Sequence, residues 1–316
     1  MTENLTIPEK ELARELFERT GKDLEGMNAI SRPSLTYWQD AWIRLKKNKV
    51  AMVCLGILSL YIILAIVGPY MVPYDFKTND AKAVNRIPDL KHWFGTDMLG
   101  RDLWSRVWTG ARISLSIGIA ATLINVCIGA VIGGISGYTG GRTDMVIMRI
   151  IDVMYGIPQL IFAILCMVVL GAGITSLIVA MIITGWLSTA RLIRGQVLQL
   201  KNQEFVLAAK KLGASNYRII SRHLAPNFIG LIITNLTMQI PYNIFMEAFL
   251  TYIGIGIKPP IASWGVLVKM GAQNFRTFPH ELLIPGFFIC TTMLSLNLLG
   301  EGLRDALDPR LRGTSR

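Results

Sequence analysis

The chain has 316 residues, 52% of them hydrophobic, a formal net charge of +11 and a mean hydropathy of +0.45. That balance points to a polytopic membrane protein rather than to soluble domains. The cations sit mostly beside apolar segments, so the excess reads as membrane orientation and argues against nucleic acid as a partner. Cys54, Cys127, Cys166 and Cys290 all lie within apolar segments, without C-x-x-C spacing, and read as small packing residues rather than a disulfide framework or a metal site.

Residues 1–45 begin with mixed charge (Glu9, Glu11, Arg14, Glu15, Glu18, Arg19) and no apolar core after a basic start, so they predict a cytosolic arm and not a cleavable signal peptide. Trp38 and Trp42, followed by Arg44, Lys46, Lys47 and Lys49, form an interfacial belt before the first transmembrane helix at 46–69, whose apolar run is Val50 to Val67. At a rise of 1.5 Å, roughly 20 residues cross a hydrocarbon core of about 30 Å. Residues 70–111 are expected outside. Lys77, Lys82, Arg86, Lys91, Arg101, Arg106 and Arg112 weigh against that, partly offset by Asp75, Asp80, Asp89, Asp97 and Asp102; the helix count elsewhere decides it.

A five-helix core is expected over 112–303. Its first member, Ile113 to Ile135, carries Gly118, Gly129, Gly133 and Gly134, which favour close helix–helix contact. The polar turn Gly137 to Asp144 leads to a span from Val146 to Leu170, with a kink predicted at Gly156-Ile157-Pro158 and a pairing of Asp152 with Arg149 one turn away. Gly171-Ala172-Gly173 turns into the next span, Ile174 to Leu192. Arg191, Arg194, Lys201, Lys210, Lys211, Arg218 and Arg222 then crowd one loop, 193–227, and place it in the cytosol. Six spans with both termini cytosolic satisfy these constraints.

Within that loop, Glu204 to Asn227 is the largest polar interruption of the core. Phe205, Val206, Ala209 and Leu212 lie on or near one side of a short helix, Gly213 breaks it, Ala214-Ser215 caps a second through Ile219 and Ile220, and Pro226 ends that one. On physical grounds the elbow is either a helix that docks into a groove of another protein or a basic membrane-surface loop. The next span, Phe228 to Thr251, places Asn235, Gln239, Asn243 and Glu247 four residues apart, with Pro241 as a kink. Two readings stand for this polar line: interhelical hydrogen-bond glue, or the wall of a hydrated solute path whose amides suit peptide backbones. The last span, Leu282 to Leu299, leads to a tail at 304–316 held inside by Arg304, Arg310, Arg312 and Arg316; Glu301 and Asp305 face one way, toward basic groups of the loop.

Four motifs carry a family resemblance. Ala208-Ala209, Gly213 and Pro226 resemble the E-A-A-x-x-x-G…I-x-L-P coupling loop of ABC-importer permeases, departing at Leu207, His223 and Ala225. Arg222-His223-Leu224-Ala225-Pro226-Asn227 is similar to the R-H-x-x-P-N of the dipeptide/oligopeptide group. Gly95-Thr96-Asp97 with Gly100-Arg101-Asp102 resembles the G-T-D-x-L-G-R-D string before the second helix of its C-type subunits. Glu247 to Gly265 resembles the E-A-F-L-S-x-L-G-L-G-x-x-P-P-x-x-S-W-G signature with Thr251 for serine, and Asn297 to Arg312 the terminal N-L-x-G-D-x-L-R-D-x-x-D-P-R with Glu301 for aspartate.

The resemblance covers residues 38–312. It implies an all-α, type I ABC-importer transmembrane fold in a bacterial-type plasma membrane. As a heterodimer with a homologous B-type permease, the chain would use two ABC ATPase subunits and an extracytoplasmic peptide-binding protein. It further implies ATPase contact at Glu204, Ala208, Ala209, Gly213, Ala214, Arg218, Arg222, His223 and Pro226. An external gate would use Gly254, Gly256, Pro259, Pro260, Ser263 and Trp264, the last as an interfacial anchor. ATP and magnesium would belong to the partner ATPases, with no cofactor on this chain.

Other classes fit less well. Walker A spacing is absent, and His92, His223 and His280 are scattered, so neither a nucleotide site nor a membrane-embedded enzyme is expected. A stand-alone secondary carrier would show internal repeats, and none is evident. Permeases of this type also move nickel chelates, haem or glutathione, so di- or oligopeptide is expected from subgroup likeness alone.

Overall fold

The computed structural model describes residues 36–307; the N-terminal arm as far as residue 35 and the arginines at 310, 312 and 316 lie outside the described residues. The chain divides into two compact units, Met1–Asp40 and Ala41–Arg316. The expected functional elements all lie in the second.

The described residues are helical, apart from loops and one isolated bridge between Thr96 and Asp102. In order they are α1 (Tyr37–Lys47), α2 (Lys49–Val67), α3 (Leu103–Thr139), α4 (Gly141–Tyr155), α5 (Gln159–Leu170), α6 (Ile174–Leu200), α7 (Glu204–Lys211), α8 (Ala225–Tyr252), α9 (Trp264–Gln273) and α10 (His280–Leu307). The helices α2, α3, α6, α8 (with the turns that lead into it) and α10 are each long and apolar enough to cross a bilayer. α4 and α5, bent by 81° at their break, are apolar enough together to make a sixth span if the pair crosses as one. The break falls at Gly156-Ile157-Pro158 and is far sharper than a kink: Pro158 removes a donor and disfavours helical backbone at Ile157, so the helix stops and restarts.

Backbone proximity holds the bundle together. A Cβ at Gly129 would collide with Thr189 and the Trp186 carbonyl, one at Gly133 with the Ala190 carbonyl, and one at Gly137 with the Arg194 carbonyl, so α3 and α6 touch along one seam. Gly118 meets Ile244 of α8 in the same way, whereas Gly134 faces open space. At the end of α3 away from this seam, Tyr61, Trp108 and Phe288 join α2, α3 and α10 in an aromatic cluster with ring centroids 4.8–5.9 Å apart.

Three sequence expectations are corrected. The helix that carries the second span starts at Leu103 rather than near Ile113, because the Asp102 carboxylate caps it by accepting the Ser105 N–H at 2.8 Å, and the residues that follow are buried rather than looped. Asp152 pairs with Arg191 of α6 at 2.6 Å and not with Arg149; the same guanidinium lies 4.1 Å from the Tyr155 ring centroid. Pro226 does not end a helix. It sits in the first turn of α8, behind a widened π turn at Ile219–Leu224 in which the Ala225 N–H reaches back five residues to the Ile220 carbonyl.

Candidate functional site

The loop between α6 and α8 is an ordered elbow. α7 ends at Gly213, whose φ of +79° suits glycine, and the Gly213 and Ala214 N–H groups close the helix on the Lys210 and Ala209 carbonyls. Ser215 then caps the next turn by accepting the Arg218 N–H at 3.3 Å. Val206 and Ala209 are the buried face, and Val206 packs against Ile193, Val197, Ile219, Leu224 and Phe228. Phe205 and Leu212, expected on that face, point out instead. With Leu207 and Tyr217 they leave an apolar ridge exposed by 42–87% on an otherwise charged loop. Glu204, Ala208, Gly213, Arg218, Arg222 and Pro226 are exposed beside it, Ala214 and His223 are half-buried, and Ala209 is buried.

Two contacts that sequence reasoning missed fix the elbow to the bundle. Tyr138 Oη donates to Asn216 Oδ1 at 2.8 Å, and Lys201 Nζ donates to the Gly137 carbonyl at 2.8 Å. Neither residue stands in a recognisable motif. Deeper, Asp144 accepts from Arg194 through both oxygens and from Ser136 Oγ, which ties α4 to α6 and α3.

The polar line of α8 hydrogen-bonds to α3 and α6. Asn235 Oδ1 accepts from Thr189 Oγ1 at 3.0 Å and from Gln239 Nε2 at 2.9 Å, and Gln239 Nε2 also reaches Thr189 Oγ1 at 2.8 Å. Asn243 Nδ2 donates to Thr122 Oγ1 at 2.7 Å, and Ser114 Oγ donates to Glu247 Oε2 at 2.7 Å, both inside the protein. Asn235 and Gln239 remain partly exposed, while Asn243 and Glu247 are buried. The partners Ser114, Thr122 and Thr189 are small hydroxyls scattered through apolar runs and give no periodic signal.

At the far ends of α8 and α9, the 247–265 motif is an internal network. Thr251 Oγ1 reaches Glu247 Oε1 at 3.3 Å and accepts the Ile257 N–H at 3.2 Å, and Ser114 Oγ also accepts the Trp264 N–H at 3.1 Å. Ser263 caps α9 by accepting the Val266 N–H. Trp264 is not an interfacial anchor. It is completely buried, with its ring N–H donated to the Val107 carbonyl at 3.1 Å, because α9 folds back onto α3 and α10. Gly256 is buried and Gly254 half-buried with φ +94°; Pro259 and Pro260 are exposed with Lys258 and Ile261.

Beside that network, the G-T-D…G-R-D string is a knot rather than a ligand loop. Asp97 accepts the Leu99 and Arg101 N–H groups, pairs with the Arg101 guanidinium at 2.8 Å and lies 3.4 Å from that of Arg106; all three side chains are buried. Asp102 completes it with a contact to His92 Nδ1 at 2.9 Å, and Thr96 Oγ1 donates to the Ala83 carbonyl. No group of three metal-binding side chains occurs among the described residues.

Comparison with known proteins matches residues 129–313 to the family described as binding-protein-dependent transport system inner membrane component, and residues 36–88 to the N-terminal transmembrane domain of oligopeptide transport permease C. The chain is 46% identical to the oligopeptide transport system permease protein OppC of Bacillus subtilis, over 95% of this chain and 99% of that one. It is 49% identical to the dipeptide transport system permease protein DppC of the same organism, over 90% and 89%. To the glutathione transport system permease protein GsiD of Escherichia coli it is 40% identical, over 88% and 92%.

Proposed function

The chain belongs to the family of binding-protein-dependent transport system inner membrane components, and on that premise we propose that it is the C-type permease subunit of an ATP-driven peptide importer. It forms half of the translocation path beside a homologous B-type permease. An extracytoplasmic binding protein delivers di- or oligopeptide, and two ATPases dock at the 193–227 loop. The ATPases bind and hydrolyse ATP with magnesium; this chain is a transport subunit and performs no catalysis. Both termini and the loop are cytoplasmic, and the 70–102 segment lies outside.

The exposed apolar ridge of Phe205, Leu207, Leu212 and Tyr217 carries this reading, because a basic loop that merely rested on lipid headgroups would not need an ordered elbow pinned to α3. Helix-in-groove docking uses just such anchors. Glu204, Ala208, Gly213, Arg218, Arg222 and Pro226 form the rim of that contact; Ala209, with Ala214 and His223 beside it, sets how closely α7 sits on the bundle. Closure of the ATPases pushes the elbow and, through it, α6 and α8. In α8 we assign Asn235 and Gln239 to the path, and Asn243 and Glu247 to holding α8 on α3. Lys258, Pro259, Pro260 and Ile261 form the outer landing surface, with Gly254, Gly256, Ser263 and Trp264 shaping it from beneath.

The test is peptide-stimulated ATP hydrolysis in the reconstituted complex. Leu212→Asp is expected to lower stimulation about tenfold or more, the loss typical of a docking anchor. Full stimulation in that variant would overturn the docking assignment, and uptake by purified chains with neither partners nor ATP would overturn the importer reading.

A further inference from the structure

The break between α4 and α5 stands beside the middle of α8. Gln159 stands eleven residues before the end of α5 and Tyr242 ten before the end of α8, so at 1.5 Å per residue both are about 15–17 Å from the outer helix ends. That is about half of a 30 Å hydrocarbon core. Here Tyr242 Oη donates to Gln159 Oε1 at 3.0 Å and fastens the start of α5 to the middle of α8. Ser188 of α6 and Gln239 of α8 meet at 3.5 Å near the same depth.

These groups are not sealed. Tyr242 is 46% exposed and Ser188 is exposed, as are Gly156, Ile157 and Pro158 at the break. Irregular backbone and polar side chains do not face lipid at membrane depth; they line water or are covered by protein. All four side chains are neutral and offer both donors and acceptors, and beyond the break Asp152 and Arg191 pair with each other.

We propose that Gln159, Ser188, Gln239 and Tyr242 form a solute-contacting constriction at mid-membrane, which binds the backbone amides of a peptide without reading side-chain charge. The Tyr242–Gln159 bond closes it by pinning the broken span, and a passing amide replaces that bond with its own. This rests on the permease reading above and adds to it a site assigned to none of these residues except Gln239.

The experiment uses the complete complex, with the four native cysteines changed to alanine and single cysteines introduced as Ser188→Cys, Tyr242→Cys and, on the exposed face of α5, Val168→Cys. A charged, membrane-impermeant maleimide is expected to label positions 188 and 242 but not 168, and trialanine is expected to slow that labelling. Absence of labelling at 188 and 242, which would mean cover by the partner permease or lipid, overturns the proposal, as does labelling indifferent to trialanine. In complexes with native cysteines, Tyr242→Phe and Gln159→Leu are each expected to raise KM for trialanine uptake about fivefold, the loss of one neutral hydrogen bond. An unchanged KM in both overturns it. A wild-type complex that takes up no peptide overturns the importer reading itself, whatever the labels show.

Discussion

Asp97 is the residue on which the segment before α3 depends. Its carboxylate faces Arg101 and Arg106 within the protein, and the Met270 sulfur and the Phe76 carbonyl take the remaining guanidinium contacts. Removing one partner of a buried pair strands the other charge, at a cost of about 3–5 kcal/mol. Asp97→Asn is therefore expected to lower the thermal unfolding temperature of the solubilised protein sharply, where Asp75→Asn leaves it unchanged. Asp89, at the surface, behaves differently. The His92 N–H, with that of Lys91, donates to its carboxylate and holds its pKa below the ordinary value. A depressed carboxylate stabilises the fold fully above the unfolded-state pKa, and that contribution disappears as pH falls through the lower folded value. An acid titration followed by near-ultraviolet dichroism is expected to show a shallower acid limb in Asp89→Asn. Neither role was legible beforehand. Arg101, Arg106 and Arg112 counted as cations against an outer location, yet Arg101 and Arg106 are consumed by Asp97 and Arg112 by the Ala65 and Ile66 carbonyls. Counting charges along a chain cannot register which of them are neutralised in space.

Elements were read with more success, and the exceptions have local causes. Hydrophobic runs locate the five long apolar helices and the broken pair α4–α5, and the Gly-Ile-Pro string locates the break in that pair, but not its 81°. Periodicity alone cannot draw the edge of the packed face on an eight-residue helix: it groups Phe205, Val206, Ala209 and Leu212 on or near one side, and only Val206 and Ala209 of these are buried. The four-residue recurrence of Asn235, Gln239, Asn243 and Glu247 was plain; its partners on α3 and α6 were not, because single serines and threonines in apolar helices have no pattern. The glycine seam of α3 gives the sharpest test at this scale. Gly133→Val is expected to push α6 away from α3 and destabilise the bundle by about 1–3 kcal/mol, read as a lower yield of folded protein and a lower melting temperature. Gly134→Val, on the open side, serves as the control and is expected to be tolerated.

At the scale of the molecule, contacts run the length of α3, whereas the α4–α5 break is exposed. The end nearer the 193–227 loop is fixed by Gly137, Tyr138 and the Arg194–Asp144 pair; the other by the Asp102 cap and by Trp108 and Trp264. Hydrogen exchange in the assembled complex is accordingly expected to be slow along α3 and fast at residues 155–157, and equal rates at the two would contradict this distribution. α3 has 37 residues and no proline, which makes it a rod of about 55 Å, nearly twice the hydrocarbon thickness. A lean of about 5° at one tip displaces the other by about 5 Å. A tilt imposed at one tip of such a rod reaches the other tip as plain geometry, with no relay of intermediate shape changes in between.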